Sequence, residues 1–260
     1  MKELSLRAKI YHYSVLGVVF LFLFLPILAT LLYSLSTSWS VSVLPDDLTL
    51  KWYAALLDDE RFLASIAHSL YVCFMALLIV FLITFPVVFA VNYYFLRAKG
   101  FFNFLAILPF AVAPIVSCVG LLQIYAESLV GTPYILFFTY TMIAYPFVYR
   151  ALDNAFASLS LNELIASNAI LGGSIIGAIF KLILPNLFQG IIVAVFLSFS
   201  FLIGEFLFAN ILVGSIYETL QVYLYNIKGQ SGHYSSAIVM VYFALIFIST
   251  FIATLFSKKD

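Results

Sequence analysis

Glu205, in the run FSFLIGEFLFAN, is an acidic side chain with apolar residues on both sides. A carboxylate so placed faces a cavity, contacts a partner, or sits at the membrane surface. Side chains that would join it in catalysis are not legible around it. His12, His68 and His233 stand near the ends of separate apolar stretches, and no spacing joins them into a metal or catalytic set. Cys73 and Cys118 lie inside apolar runs, outside any disulfide or metal-ligand pattern, and read as small hydrophobes. No Ser/His/Asp, paired-carboxylate or Cys/His arrangement is supported. A second stretch, SLSLNELIASNAILGGSIIGAIFKLILPNL at 158–187, carries punctuation instead: a capping pattern, Gly172-Gly173 and Pro185.

The elements that must position these residues follow from composition. Of 260 residues, 65% are hydrophobic and 9% charged, with mean hydropathy +1.13. A soluble domain carries about 25% charged residues, so the chain reads as an all-α integral membrane protein. The apolar runs predict six spans, at 13–35, 66–96, 104–126, 133–150, 186–213 and 235–257. They form one domain over 1–260, with a first span at 13–35, core spans within 66–257 and a water-side segment at 158–185. The run after Lys2, Arg7 and Lys9 is too long for a leader's apolar region and lacks a small-residue cleavage site, so it is expected to be retained. The second run is too long to cross upright, and Pro26, Pro86, Pro109, Pro114 and Pro146 fall within spans, where bilayer helices tolerate kinks. Lipid is the partner that composition names and no nucleic acid is expected; the formal net charge of zero by itself says nothing on that point, because what matters is where the charges sit.

Lysine and arginine orient the spans. Lys2, Arg7, Lys9, Arg97, Lys99, Arg150, Lys181, Lys258 and Lys259 fall on one side, against Lys51, Arg61 and Lys228 on the other. Both termini are therefore expected in the cytoplasm. The first external loop, about 36–65, holds Asp46, Asp47, Asp58, Asp59 and Glu60, and its stretch WYAALLDDERFLASIAHSL is compatible with a short amphipathic surface helix. Tyr145-Pro146 and Tyr149-Arg150 are expected to mark the cytoplasmic end of the fourth span.

The punctuated stretch then lies on the cytoplasmic side, between spans four and five. Ser160-Leu161-Asn162-Glu163 matches a capping box, so a helix should start there and run to about Leu171. Gly172-Gly173 should stop it, and a second apolar helix from about Ser174 should reach Pro185, where the chain turns into span five. Leu161, Leu164, Ile165 and Ala169 share one face. Glu163, Ala166, Ser167, Ala169, Gly172 and Gly173 include small residues that let another surface approach the backbone closely. Read by itself, the stretch is either an ordinary connecting helix or such a docking knob.

This stretch resembles the signature loop of permease subunits in ATP-binding-cassette importers. That pattern runs Glu-Ala-Ala, three residues, Gly, nine residues, then Ile-x-Leu-Pro. Gly172 fits the glycine, and residues 173–181 separate it from Leu182-Ile183-Leu184-Pro185. Ala166-Ser167-Asn168 replaces the opening triplet, and Glu163 stands three positions early, where relatives often carry an additional acid. The resemblance covers about residues 65–257 and implies the type I importer fold, with 161–172 as the helix that couples to the ATPase. The departing triplet bears on the polar contact that its Glu normally makes there.

The resemblance further implies the partners: two ATPase subunits, a second permease subunit (a heterodimer rather than a homodimer) and an extracytoplasmic substrate-binding protein. No Gly-x4-Gly-Lys-Ser/Thr pattern occurs in this sequence, so no cofactor is expected on this chain, and ATP and Mg would sit on the partner ATPase subunits. The setting implied is a prokaryotic cell membrane, and the chain itself would catalyse no covalent chemistry. The Gly-Glu-Phe context of Glu205 resembles the branch serving polyamines, phosphonates, ferric iron, thiamine and oxyanions. That branch carries both anions and cations, so Glu205 does not select a cationic solute. Glu205 reads as structural or gating, as pathway-lining, or as interfacial; counted from Leu187 it lies about 27 Å along a helix, near the outer face. Asn92, Gln123, Asn210 and Ser117 either line the pathway or hydrogen-bond between helices. The alternatives from other classes are a secondary carrier or channel independent of ATP, and an intramembrane enzyme.

Overall fold

The computed structural model describes residues 6–39, 45 and 47–257. Lys2, Asp46, Lys258 and Lys259, used above for orientation and loop charge, lie outside the described residues, as do the side chains of Arg7 and Lys9. The described residues are helical throughout, apart from connections and one antiparallel bridge between Ser36 and Leu48. In chain order the helices are α1 (Leu6–Ser34), α2 (Lys51–Asp58), α3 (Glu60–Tyr93), α4 (Lys99–Ala111) and α5 (Pro114–Tyr125). There follow α6 (Pro133–Ala157), α7 (Leu161–Ile170), α8 (Ile175–Ala178), a π-helical turn (Ile179–Ile183), α9 (Leu184–Asn186) and α10 (Phe188–Leu202). The last three are α11 (Leu207–Leu212), α12 (Leu220–Ile227) and α13 (Gly232–Ser257).

Four helices, α1, α3, α6 and α13, are long and apolar enough to cross a membrane. Two bent pairs pass the same test together, bringing the crossings to six if each pair counts once. The architecture is thus the all-α membrane type that the composition demands. Two spans are not continuous, however. The expected span 104–126 breaks after Ala111 and bends by 85°. Val112 and Ala113 are extended there, because Pro114 disfavours helical backbone in the residue before it and opens α5 at its first turn. Pro109, by contrast, stays inside α4. The expected span 186–213 is broken twice: the chain bends by 67° between Asn186 and Phe188, and α10 ends at Leu202 before α11 begins at Leu207.

Other boundaries shift as well. α3 starts at Glu60 and runs 34 residues, so the stretch expected as one amphipathic helix is divided between α2 and the start of α3. At 1.5 Å per residue α3 is about 51 Å long, well beyond the ~30 Å hydrocarbon core. α6 continues to Ala157, beyond the Tyr149-Arg150 expected to end it. Tyr149 is fully buried against the protein's own residues.

The described chain divides into two compact units, one of residues 1–60 with 226–244 and one of residues 61–225 with 245–260. In the first, Thr49 N–H donates to Leu35 O at 2.6 Å beside the Ser36–Leu48 bridge, and Trp52 Nε1 donates to Ser36 O at 2.8 Å. His233 stacks on Tyr33 with centroids 4.1 Å apart and on Trp52 at 5.7 Å, while Tyr234 donates to Asp59 at 3.2 Å. Residues 11–25 of α1 are exposed around the whole helix, a surface fit for lipid rather than water.

In the second unit the main packing is α6 on α10. Gly190 makes it close: a Cβ there would run into that of Ala155. Leu136, Leu152, Phe156, Ile183, Leu187 and Leu202 are buried in this unit, and Cys73 and Cys118 are buried free thiols, as their apolar context suggests. Elsewhere in this unit Arg61 Nη2 donates to both carboxylate oxygens of Glu218 at 3.0 and 3.1 Å, and His68 Nδ1 lies 3.0 Å from Glu218 O, so its N–H donates to that carbonyl. These bonds tie the start of α3 to the segment before α12, which the sequence reading did not anticipate.

Candidate functional site

The punctuated stretch folds as a helix, a glycine stop and a second helix. α7 begins at Leu161, but its N-cap Ser160 makes no side-chain capping bond, so the capping box expected from Ser160 and Glu163 does not form. Ser160 has φ −79° and ψ 70°, outside the extended backbone typical of a capping residue, so its hydroxyl is not presented to the helix. Glu163 is exposed in the first turn, where its charge complements the helix dipole. The cap that does form belongs to α8: Ser174 Oγ accepts from Gly177 N–H at 3.1 Å.

The stop is a glycine-bearing Schellman turn. Gly172 has φ +75°; its N–H donates to Ala169 O at 2.9 Å, and Gly173 N–H donates to Asn168 O at 2.8 Å. Across this turn Asn168 Nδ2 donates to Ser174 O at 3.0 Å. A Cβ on Gly173 would stand 2.5 Å from the Asn168 side-chain amide, so glycine leaves the space in which that amide sits. Asn168 therefore fastens the two helices together. Sequence reading saw it only as a departure from the Glu-Ala-Ala triplet.

Leu161 and Ile165 are the buried face of α7, while Leu164 is half-buried and Ala169 exposed, so the expected apolar face is narrower than four residues. Ala166, Ser167, Gly172, Gly173 and Pro185 are exposed. Ile170 and Leu171, at the tip, are 85% and 87% exposed. Their own fold leaves these two large apolar side chains uncovered. After α8 the second helix relaxes into the π-turn Ile179–Ile183 before Pro185 opens α9, so it is not the uniform helix expected.

Glu205 stands in the break between α10 and α11, not inside a continuous span. Its Oε1 accepts from Phe208 N–H at 2.9 Å and its Oε2 from Ala209 N–H at 3.2 Å, and Tyr140 OH donates to its backbone carbonyl at 3.4 Å. Both oxygens thus serve the first turn of α11. Of the roles left open for Asn92, an interhelical bond is present: its Nδ2 donates to Asp153 Oδ1 at 2.8 Å. Gln123 is exposed on α5, Asn210 is half-buried in α11 and Ser117 half-buried in α5. The coupling residues are contiguous, whereas the pathway candidates do not gather around one point through any bond between them among the described residues.

No protein-family model matches the chain, and no curated protein matches it in sequence. A chain of the crystal structure of a bacterial ABC transporter involved in the import of the acidic polysaccharide alginate shares its fold, with a TM-score of 0.80 at 17% identity. The match covers 98% of this chain and 99% of that one.

Proposed function

We propose that this chain is a permease subunit of an ABC importer, forming half of a translocation pathway and coupling it to ATP hydrolysis on separate ATPase subunits. One observation carries the reading: a whole-chain fold match to an ABC transporter component, in a chain whose punctuated stretch has the helix, glycine and proline spacing of the coupling loop. The geometry of α7 adds support, since Glu163, Ala166, Ser167 and Ala169 stand exposed beside a protruding Ile170-Leu171 tip. An ATPase cleft that receives this helix moves it when ATP closes the ATPase dimer. The spans then alternate between inward-open and outward-open states, each biased by the nucleotide's differential affinity.

The reading places α7 and both termini in the cytoplasm, pairs the chain with a second, non-identical permease, and takes solute from an extracytoplasmic binding protein. ATP and Mg belong to the ATPase subunits, and the chain itself performs no covalent chemistry. The solute class is the small charged one suggested by the Gly-Glu-Phe resemblance, while the alginate of the structural neighbour is that protein's own cargo. Glu205 enters as a structural cap beside the pathway.

Affinity purification of the tagged full-length chain from a mild detergent extract tests this. ATPase subunits should co-purify in equal number with permease subunits, and ATP hydrolysis in proteoliposomes should drive uptake. A chain that purifies without an ATPase and transports in its absence is a secondary carrier or channel.

A further inference from the structure

Resting on the importer reading, we infer that Lys99, Asp153 and Asn92 form the joint by which movement of α7 reaches α3 and α4. Asp153 Oδ1 accepts from Lys99 Nζ at 2.8 Å and from Asn92 Nδ2 at 2.8 Å, and Lys99 Nζ donates to Asn92 Oδ1 at 3.0 Å. Each of the three is bonded to the other two. They come from three helices: Asn92 from the last turn of α3, Lys99 from the first position of α4, and Asp153 from the end of α6. The side chain of Asp153 is 11% exposed and that of Lys99 is 30% exposed, so water screens the pair only partly.

Lys99 has its counter-charge in Asp153. The carboxylate also accepts from the Asn92 amide, so one oxygen holds both partners. Breaking one side of such a pair leaves an uncompensated charge, which is why its members must travel together.

The end of α6 is also where the proposed lever begins. α6 stops at Ala157, four residues after Asp153, and three residues (158–160) lead into α7. That terminal turn is gripped twice more. Phe156 packs beside Phe85 and Phe89 of α3, at centroid distances of 5.7 and 6.2 Å, and Ala155 meets Gly190 of α10. A displacement at Leu161 therefore arrives at Asp153 through little more than two turns of chain. The triad hands it to the end of α3 and the start of α4 as a polar, directional link that apolar packing alone lacks.

The experiment uses the full chain with its ATPase subunits in proteoliposomes and reads radiolabelled spermidine or inorganic phosphate, whichever the wild-type complex accumulates, taken up per ATP hydrolysed. Asp153→Asn should lower that ratio at least about fivefold while leaving hydrolysis near the wild-type rate. Lys99→Arg should preserve it, and the reversed pair Lys99→Asp/Asp153→Lys should recover most of it. A wild-type ratio in Asp153→Asn, or a reversed pair as defective as the single variant, overturns the joint. Should Asp153→Asn fail to assemble, Lys99→Gln is read in the same way. If no ATPase accompanies even the wild-type chain, the importer reading has failed, and the joint is judged on a distance measurement alone. Spin labels at Tyr94 and Ala157, both exposed, report the separation of the α3 and α6 ends in lipid nanodiscs. A separation that widens in Asp153→Asn and returns in the reversed pair supports the joint, and an unchanged one removes it.

Discussion

The carboxylate of Glu205 receives the backbone amides of Phe208 and Ala209, at 2.9 and 3.2 Å, one on each oxygen. This relationship lets a helix begin in the middle of an apolar run. The first turn of any helix has amide hydrogens without intrahelical partners, and Phe208 and Ala209 are both buried, so theirs need an acceptor from the protein. Glu205→Gln keeps one acceptor and should cost about 1 kcal/mol, in the range of a lost cap. Glu205→Leu leaves both amides without an acceptor and should cost about 1–3 kcal/mol for each. Thermal unfolding in detergent should therefore rank wild type above Gln and Gln above Leu. Equal melting of Leu and wild type would remove the capping role.

Gly172 should tolerate Asn better than Leu. Its φ of +75° is left-handed, yet a Cβ there meets nothing within 4 Å, so the penalty is one of backbone alone. That penalty is about 1–2 kcal/mol for an ordinary L-residue and less for Asn. Gly172→Leu should reorient α7 relative to α8 and lower uptake per ATP in the reconstituted complex, with Gly172→Asn intermediate. Wild-type uptake in the Leu variant would count against α7 as the coupling helix.

The neighbouring glycine has a different reason to be one. Its Cβ would stand 2.5 Å from the Asn168 amide, whose Nδ2 holds Ser174 O at 3.0 Å. Gly173→Ala should therefore expel Asn168 and break the fastening, loosening the turn in hydrogen–deuterium exchange over 168–175. Adding Asn168→Ala should relieve the clash without restoring the bond. Exchange in Gly173→Ala that matches wild type would show that Asn168 yields without consequence.

How much of this was legible beforehand divides along physical lines. Apolar runs this long fold as helices, so the all-α membrane architecture is readable from composition and hydropathy, whereas the six expected spans correspond to four single helices and two bent pairs. The Gly172 stop is readable because left-handed backbone selects glycine locally. Breaks at Val112-Ala113 and after Leu202 are not, since Pro109 stays helical while Pro114 starts a helix and hydropathy runs on through both. The Ser160-Glu163 pattern misleads because a capping box depends on the Ser160 backbone, which tertiary packing sets. Asp153 and Lys99 are far apart in the sequence, and their pairing appears only once α4 and α6 are side by side.

Gly190 and Ala155 supply a test of that side-by-side packing. A Cβ on Gly190 would collide with that of Ala155, so Gly190→Ala should force α10 away from α6 at a cost of about 1–3 kcal/mol. Ala155→Gly in the same chain should recover part of the lost thermal stability. A single Gly190→Ala variant that melts with wild type would contradict the close approach.

The central claim is that α7 is a cytoplasmic lever seated on an ATPase. Ser167 is exposed on α7, so Ser167→Cys gives a reporter there, while Cys73 and Cys118 are buried. Crosslinking from this cysteine in intact membranes, with and without ATP, is the most direct measurement. The account predicts a product with an ATPase subunit whose yield changes with nucleotide, and protection of the cysteine from impermeant reagents added outside. Labelling from outside, with no ATPase product under either condition, would contradict it.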